Sequence, residues 1–191
     1  MPTRTFLAVD CAEFLEATVS QLIRRLDAPS GSDPGPAVKW VRPENLHLTL
    51  KFFGDIDDED IVAISRAVPK ALVDRDPFPV RLAGVGAFPD VQRARTLWIG
   101  FQSGSEELIA LQEAIDEQLA DIGFRPERRR FHPHLTIGRL RDGRNRDALV
   151  RRIEQEQDFS AEPFFVEELV LVASHLKPKG PTYTVLSSFE L

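Results

Sequence analysis

Two stretches, His47-Leu48-Thr49-Leu50 and His134-Leu135-Thr136-Ile137, each set an imidazole and a hydroxyl two residues apart. In an extended chain, alternate side chains share a face. Each stretch read as a strand shows His and Thr on one side. Its apolar pair, Leu48 and Leu50 or Leu135 and Ile137, can anchor the other side in a core. The chain holds eight threonines and four histidines, so two such coincidences arise by chance roughly 1% of the time. If the two polar faces meet across a cleft, two imidazoles and two hydroxyls converge. An imidazole titrates near pH ~6.5, so one ring can be neutral while the other is protonated. That suits a general base and a general acid on opposite sides of one phosphorus, with the hydroxyls donating to its non-bridging oxygens. Either motif alone is more simply a polar strand face with a solvent-bonded histidine.

The second motif lies inside Phe131-His132-Pro133-His134-Leu135-Thr136-Ile137. His132, His134 and Thr136 form an alternating row that also resembles a metal clip. No third histidine has suitable spacing, and the lone cysteine, Cys11, excludes a four-cysteine zinc site. Pro133 disfavours helix at His132 and keeps the approach extended. His132 is therefore read as a supporting residue behind His134, with no metal and no cofactor.

The surrounding pattern mixes strands and helices. Arg4 to Asp10, Val38 to Val41, His47 to Gly54, Phe78 to Pro89, Ala94 to Gln102 and His132 to Leu140 read as extended. Phe164 to Lys177 and Pro181 to Leu191 read as two strands around a Lys-Pro-Lys-Gly-Pro hairpin tip. Helical spacing marks Ala12 to Leu26, Asp58 to Val73, Ser105 to Gly123 and Arg146 to Gln157. Pro69 is expected to disturb the second helix late, and Gly123 to cap the third. Asp27 to Ala37 is a loop rich in Pro, Gly and Ser. The hairpin-like pairs favour an α+β fold with antiparallel sheets over a doubly wound parallel one. No Gly-rich phosphate loop follows a strand. The echo between the two His-x-Thr stretches, 87 residues apart, hints at a duplicated lobe.

The net charge is −6. Yet the segment from Arg125 to Arg152 holds ten arginines against three acidic residues, a local balance of +7. Such a basic face on an acidic protein can hold a phosphate-bearing ligand. No apolar run reaches the ~20 residues that span a bilayer, and no secretory signal opens the chain. One cysteine fits a reducing, cytoplasmic setting.

The paired motifs resemble the two H-x-T-x motifs of the 2H phosphoesterase superfamily. Arg4 to Asp10, Val38 to Ile56, Thr96 to Phe101, Phe131 to Arg139 and Ser174 to Leu186 resemble, in order, its RNA 2′,3′-cyclic phosphodiesterase group, the LigT/ThpR or 2′-5′ RNA ligase family. The resemblance implies a bilobal α+β fold over residues 1–191, a single domain of two intertwined lobes with one motif in each. Pseudo-symmetric antiparallel sheets would line a central cleft, with the helices outside. It implies metal-independent hydrolysis of RNA 2′,3′-cyclic phosphate ends to 2′-phosphomonoesters, with reversible 2′-5′ joining in some members. By motif, His47 would be the proton donor and His134 the proton acceptor, with Thr49 and Thr136 on the phosphate. Arg130, Arg139 and Lys177 are candidate RNA contacts. Arg139, two residues beyond Ile137, is read on the polar face of a continuing strand. Tyr183 and Trp40 could stack on a base or simply pack. The implied partner is RNA with a cyclic phosphate end, such as a tRNA fragment, with no membrane and no obligate protein partner. Hydrolysis of small cyclic nucleotides and non-catalytic binding of RNA ends are the competing functions.

Overall fold

The computed structural model describes residues 2–28, 37–127, 129–141, 146–178 and 180–191. Most of the Pro/Gly/Ser loop, Arg128, Arg144 and Lys179 lie outside them. The strands sort into two fully antiparallel sheets. The first has the order β3-β1-β8-β9, with β1 Thr3–Asp10, β3 His47–Ile56, β8 Glu168–Lys177 and β9 Gly180–Glu190. The second has the order β2-β6-β5-β4-β7, with β2 Val38–Trp40, β4 Phe78–Phe88, β5 Thr96–Ser103, β6 Leu135–Leu140 and β7 Phe164–Val166. The helices are α1 Ala12–Asp27, α2 Asp58–Leu72, α3 Ser105–Ala120 and α4 Arg146–Gln155.

The sheets correspond strand by strand. β3-β1-β8-β9 matches β6-β5-β4-β7, with β2 added outside β6. In each, a strand and a helix lead back to an antiparallel neighbour that carries or follows a His-x-Thr motif: β1-α1-β3 and β5-α3-β6. The chain starts in the first sheet at β1, visits the second at β2, returns for β3, builds β4 to β7 in the second, and ends with β8 and β9 in the first.

Alternation decides which side of the first sheet is dry. Leu7, Val9, Leu48, Leu50, Leu169 and Leu171 point into the main core, while Phe6, Ala8, Val170 and Val172 form a small apolar cluster on the opposite face. α3 packs against both β3 and β5 and so holds the two sheets together. It buries Leu108, Leu111, Ile115 and Leu119, each contributing about 1.5–3 kcal/mol. Gly123 ends this helix as expected. Its φ is +96°; its N–H meets the Ala120 carbonyl, and the Phe124 N–H meets that of Leu119. This double bond pattern needs a left-handed residue between helix and loop.

α2 has nearly its expected bounds and runs through Pro69 to Leu72; the proline falls in the last turn, and a reciprocal Asp57–Asp60 capping box secures the other end. One expectation shifts. The single strand expected from Phe164 to Lys177 is two strands in different sheets. β7 pairs with β4 and β8 with β1. Glu167 and Glu168 are consecutive exposed residues, so the alternation slips there and the chain crosses between sheets.

Candidate functional site

β3 and β6 approach each other between the sheets, and a cavity of about 500 Å³ opens there. His47, Thr49, His134 and Thr136 all line it. The register explains why both residues of each pair face inward. After each threonine the ladder skips one residue. Ala8 pairs with Thr49 but Leu7 with Lys51, and Trp98 pairs with Thr136 but Leu97 with Gly138. Leu50 and Ile137, the fourth residues of the two motifs, are the bulged ones. A bulge adds a residue to one strand and inverts the alternation beyond it. Phe52 and Arg139, each three residues past its threonine, therefore return to the cavity. Strict alternation would have put Arg139 on the face of Leu135 and Ile137.

The histidines are oriented by one device used twice. His47 Nδ1 lies 2.7 Å from the Asn45 carbonyl oxygen, and His134 Nδ1 lies 2.7 Å from that of His132. A carbonyl only accepts, so each Nδ1 carries the proton and each Nε2 is left for chemistry. Asn45 also donates from its amide to the Pro181 carbonyl at 3.3 Å, tying β9 to His47.

The rings differ in their neighbours. His47 stacks on Phe6 at 4.7 Å and meets the edge of Tyr183 at 5.3 Å. His134 meets Phe88 edge-on at 4.9 Å. Burial holds both imidazoles below their ordinary pKa, while the Nδ1 hydrogen bonds oppose it. The charges then diverge. Asp10 pulls His47 back toward its protonated form, whereas His132 pushes His134 toward neutrality; Arg139 lowers both. Burial likewise raises the Tyr183 phenol.

The cavity is cationic. Arg4, Lys39, Arg42 and Arg139 line it, and no described carboxylate does. Only Arg139 belongs to the +7 segment, and its Nη1 donates to Thr96 Oγ1 at 3.3 Å. Tyr183 and Trp40 line the cavity; Arg130, Lys177 and His132 do not. Charges adjacent in sequence are not adjacent in space here: Arg130 lies in the approach to β6 and Lys177 at the end of β8, both exposed. The His132 ring sits against Trp98 and Phe88, 6.4 Å from the His134 ring, so its main chain anchors His134 while its side chain acts on that ring through charge. Among the described residues no three His, Cys, Asp or Glu side chains gather as a metal would require.

Sequence reasoning missed Arg4, Lys39, Arg42 and Phe52. Arg4 shares alternation with Phe6 on β1, which was a usable signal; its guanidinium lies 4.7 Å over the Phe52 ring. Lys39 faces the site because β2 pairs with β6, Lys39 opposite Arg139. Lys51 was also missed. The bulge turns it inward, where it donates to Asp116 at 2.6 Å and to the Arg125 carbonyl at 2.8 Å. Asp116 in turn accepts from the Glu127 N–H at 3.3 Å. This buried group ties the first motif's strand to the segment leading into the second.

Residues 16–178 match the family model of the 2′-5′ RNA ligase superfamily. The chain is 39% identical to an RNA 2′,3′-cyclic phosphodiesterase of Methanothermobacter thermautotrophicus over 191 residues, all of both chains. It is 36% identical to one of Archaeoglobus fulgidus, covering 98% of this chain and 99% of that one. Among solved structures, TT0787 of Thermus thermophilus aligns with a TM-score of 0.78 at 27% identity, covering 98% and 97% of the two chains. E. coli LigT complexed with 3′-AMP aligns with a TM-score of 0.74 at 26% identity, covering 100% and 99%.

Proposed function

The chain belongs to the 2′-5′ RNA ligase superfamily, and on that premise we propose that it is a hydrolase that opens RNA 2′,3′-cyclic phosphate ends to 2′-phosphomonoesters. The observation that carries the reading is the pair of histidines. Both are fixed through Nδ1, both leave Nε2 available, and both line one cationic cavity with two threonines.

The chemistry follows from those atoms. His134 Nε2 takes a proton from water as its oxygen attacks phosphorus. The bond from phosphorus to the 3′ oxygen breaks, and His47 Nε2–H protonates that oxygen. The phosphate stays on the 2′ oxygen. Thr49 and Thr136 donate to the non-bridging oxygens, where negative charge grows. The charges around the rings support this direction: Asp10 favours a proton on His47, and His132 disfavours one on His134. A bound phosphodiester anion raises both imidazole pKa values toward the working range. With a 5′ hydroxyl in place of water, the same ring opening joins RNA ends through a 2′-5′ linkage: His134 takes the hydroxyl proton, the bond from phosphorus to the 3′ oxygen breaks, and His47 protonates that oxygen. Fragments of tRNA are suitable substrates. A reducing cytoplasm suits the single cysteine: Cys11 is buried, and burial pushes its thiol up to about 12. No helix among the described residues is long and apolar enough to cross a membrane.

The test is product analysis. A 2′,3′-cyclic-phosphate oligonucleotide should yield a 2′-phosphate end, at a rate unchanged by EDTA. A 3′-phosphate product, or no turnover, would reject the reading.

A further inference from the structure

The cavity between the sheets holds more positive charge than its reacting group needs. A 2′,3′-cyclic phosphodiester carries a single negative charge, yet Arg4, Lys39, Arg42 and Arg139 all line the space. These cations are not equivalent. Arg42 lies 3.7 Å from Glu44. Lys39 and Arg139 come from paired strands of the second sheet, and Arg139 acts on both imidazoles. Arg4 comes from the first sheet. It acts on the Tyr183 phenol and on neither imidazole, and Coulomb attraction falls with distance, so it stands farther from the reacting phosphorus. Its side chain is exposed and forms no ion pair among the described residues. Its guanidinium lies instead 4.7 Å over the ring of Phe52. Phe52 is 43% exposed, and Leu176, which also lines the cavity, is 75% exposed.

We infer that Arg4 and Phe52 form a subsite for the internucleotide phosphate and the penultimate nucleoside of the RNA strand, an assignment that rests on the hydrolysis proposed above. His47 protonates the 3′ oxygen, so the terminal ribose lies beside His47. The 5′ oxygen of that ribose carries the next phosphate of the strand, one sugar away from the reacting one. Tyr183 meets the edge of His47 at 5.3 Å, and Arg4 acts on Tyr183 but not on His47. The cation is therefore set off from the acid by an intervening side chain, as the second phosphate is set off by the ribose. A guanidinium without an ion pair holds a phosphodiester through charge-assisted, often bidentate contacts. The nucleoside beyond that phosphate then meets an exposed aromatic ring and the exposed Leu176. Cations along the backbone and aromatic faces against the bases are how proteins hold single strands. Register supplies both residues: Arg4 alternates with Phe6 on β1, and the bulge at Leu50 turns Phe52 to the cavity.

The experiment adds the parts one at a time, with three substrates. They are cytidine 2′,3′-cyclic phosphate, the same compound carrying a methyl phosphodiester on its 5′ oxygen, and the cytidine dinucleotide ending in a 2′,3′-cyclic phosphate. For the parent protein, kcat/KM should rise about tenfold on adding the phosphodiester and about threefold more on adding the nucleoside, chiefly through KM. Arg4→Met should shrink the first step to within about twofold, with Arg4→Lys, which keeps the charge, falling between. Phe52→Ala should erase the second step and keep most of the first. Lys70→Met, which removes an exposed cation from α2, should leave both steps as they are. Each step is a ratio within one protein, so a loss of folded protein cancels. A first step that is absent in the parent, that survives Arg4→Met, or that falls equally in Lys70→Met would overturn the phosphate site. A second step that is absent in the parent or survives Phe52→Ala would overturn the nucleoside site. In each of these cases turnover of the cytidine ester would uphold the activity; no turnover of any substrate by the parent would overturn the activity itself.

Discussion

β3 and β6 carry the same motif, the same bulge and the same histidine anchor, yet the residues just past the bulge differ. Lys51 and Phe52 in the first sheet correspond to Gly138 and Arg139 in the second. The difference at the first position comes from packing. A Cβ on Gly138 would lie 2.7 Å from Val38 Cγ1 and 2.9 Å from the Trp40 ring, because β2 covers β6. Among the described residues no strand pairs with the outer edge of β3, and Lys51 has room to reach Asp116. The difference at the second position lies in the cavity lining: the first sheet offers an aromatic face under Arg4, and the second a cation. The histidines repeat the lesson: identical main-chain bonds orient them, and unlike neighbours, Asp10 against His132, bias their protonation in opposite directions.

The harshest test of that division removes each ring. His47→Ala and His134→Ala should each lower kcat/KM on an RNA cyclic phosphate by about 10³-fold. Bis(4-nitrophenyl) phosphate, whose leaving group needs no proton, should separate them. On it, His47→Ala should stay within about tenfold of the parent, while His134→Ala stays about 10³-fold down. The reverse pattern would exchange the roles.

The Lys51–Gly138 contrast is tested by unfolding in urea. Lys51→Met strands a buried carboxylate and should cost about 3–5 kcal/mol, most of it recovered in Lys51→Met/Asp116→Leu. Gly138→Ala should cost less, about 1–3 kcal/mol, as an overpacking change. A Lys51→Met protein as stable as the parent would mean the pair does not bind β3 to the segment before β6.

At the next position, Arg139→Met should raise KM about tenfold or more by removing a charged partner of the phosphates. Phe52→Ala should raise it only about threefold. Equal effects would erase the distinction between the two positions.

The smallest effects are in the pH profile. Both imidazoles are held low in the unliganded protein, and kcat/KM reports the free enzyme, so its bell should peak below pH ~6.5. Asp10 favours the protonated His47; Asp10→Asn should move one limb to lower pH. His132 disfavours protonation of His134; His132→Asn should move the other limb to higher pH. A maximum well above neutrality would mean that burial does not govern these rings.

Much of this organisation could be read from the chain. The amphipathic helices and the antiparallel α+β class follow from local periodicity, because burying one face forces a period of 3.6 or 2. The His-x-Thr pairs stood out because alternation puts both side chains on one face. The crossing at Glu167 was missed, since a long β-rich run looks continuous until its two halves find different partners. Apart from Arg139, the cationic lining was missed for the same reason. Arg4, Lys39, Arg42 and Arg139 are scattered along the chain, whereas the conspicuous arginine segment supplies only one of them.

By itself, the sequence determined the alternating motifs, the helices that bracket them, and the proline and glycine that shape the approaches. All of these are set by interactions between near neighbours. Only the tertiary structure decided that Leu50 and Ile137 bulge, that Phe52 and Arg139 therefore turn inward, and that Lys51 turns away. A bulge exists only against a partner strand, and a charge acts through distance in space rather than along the chain.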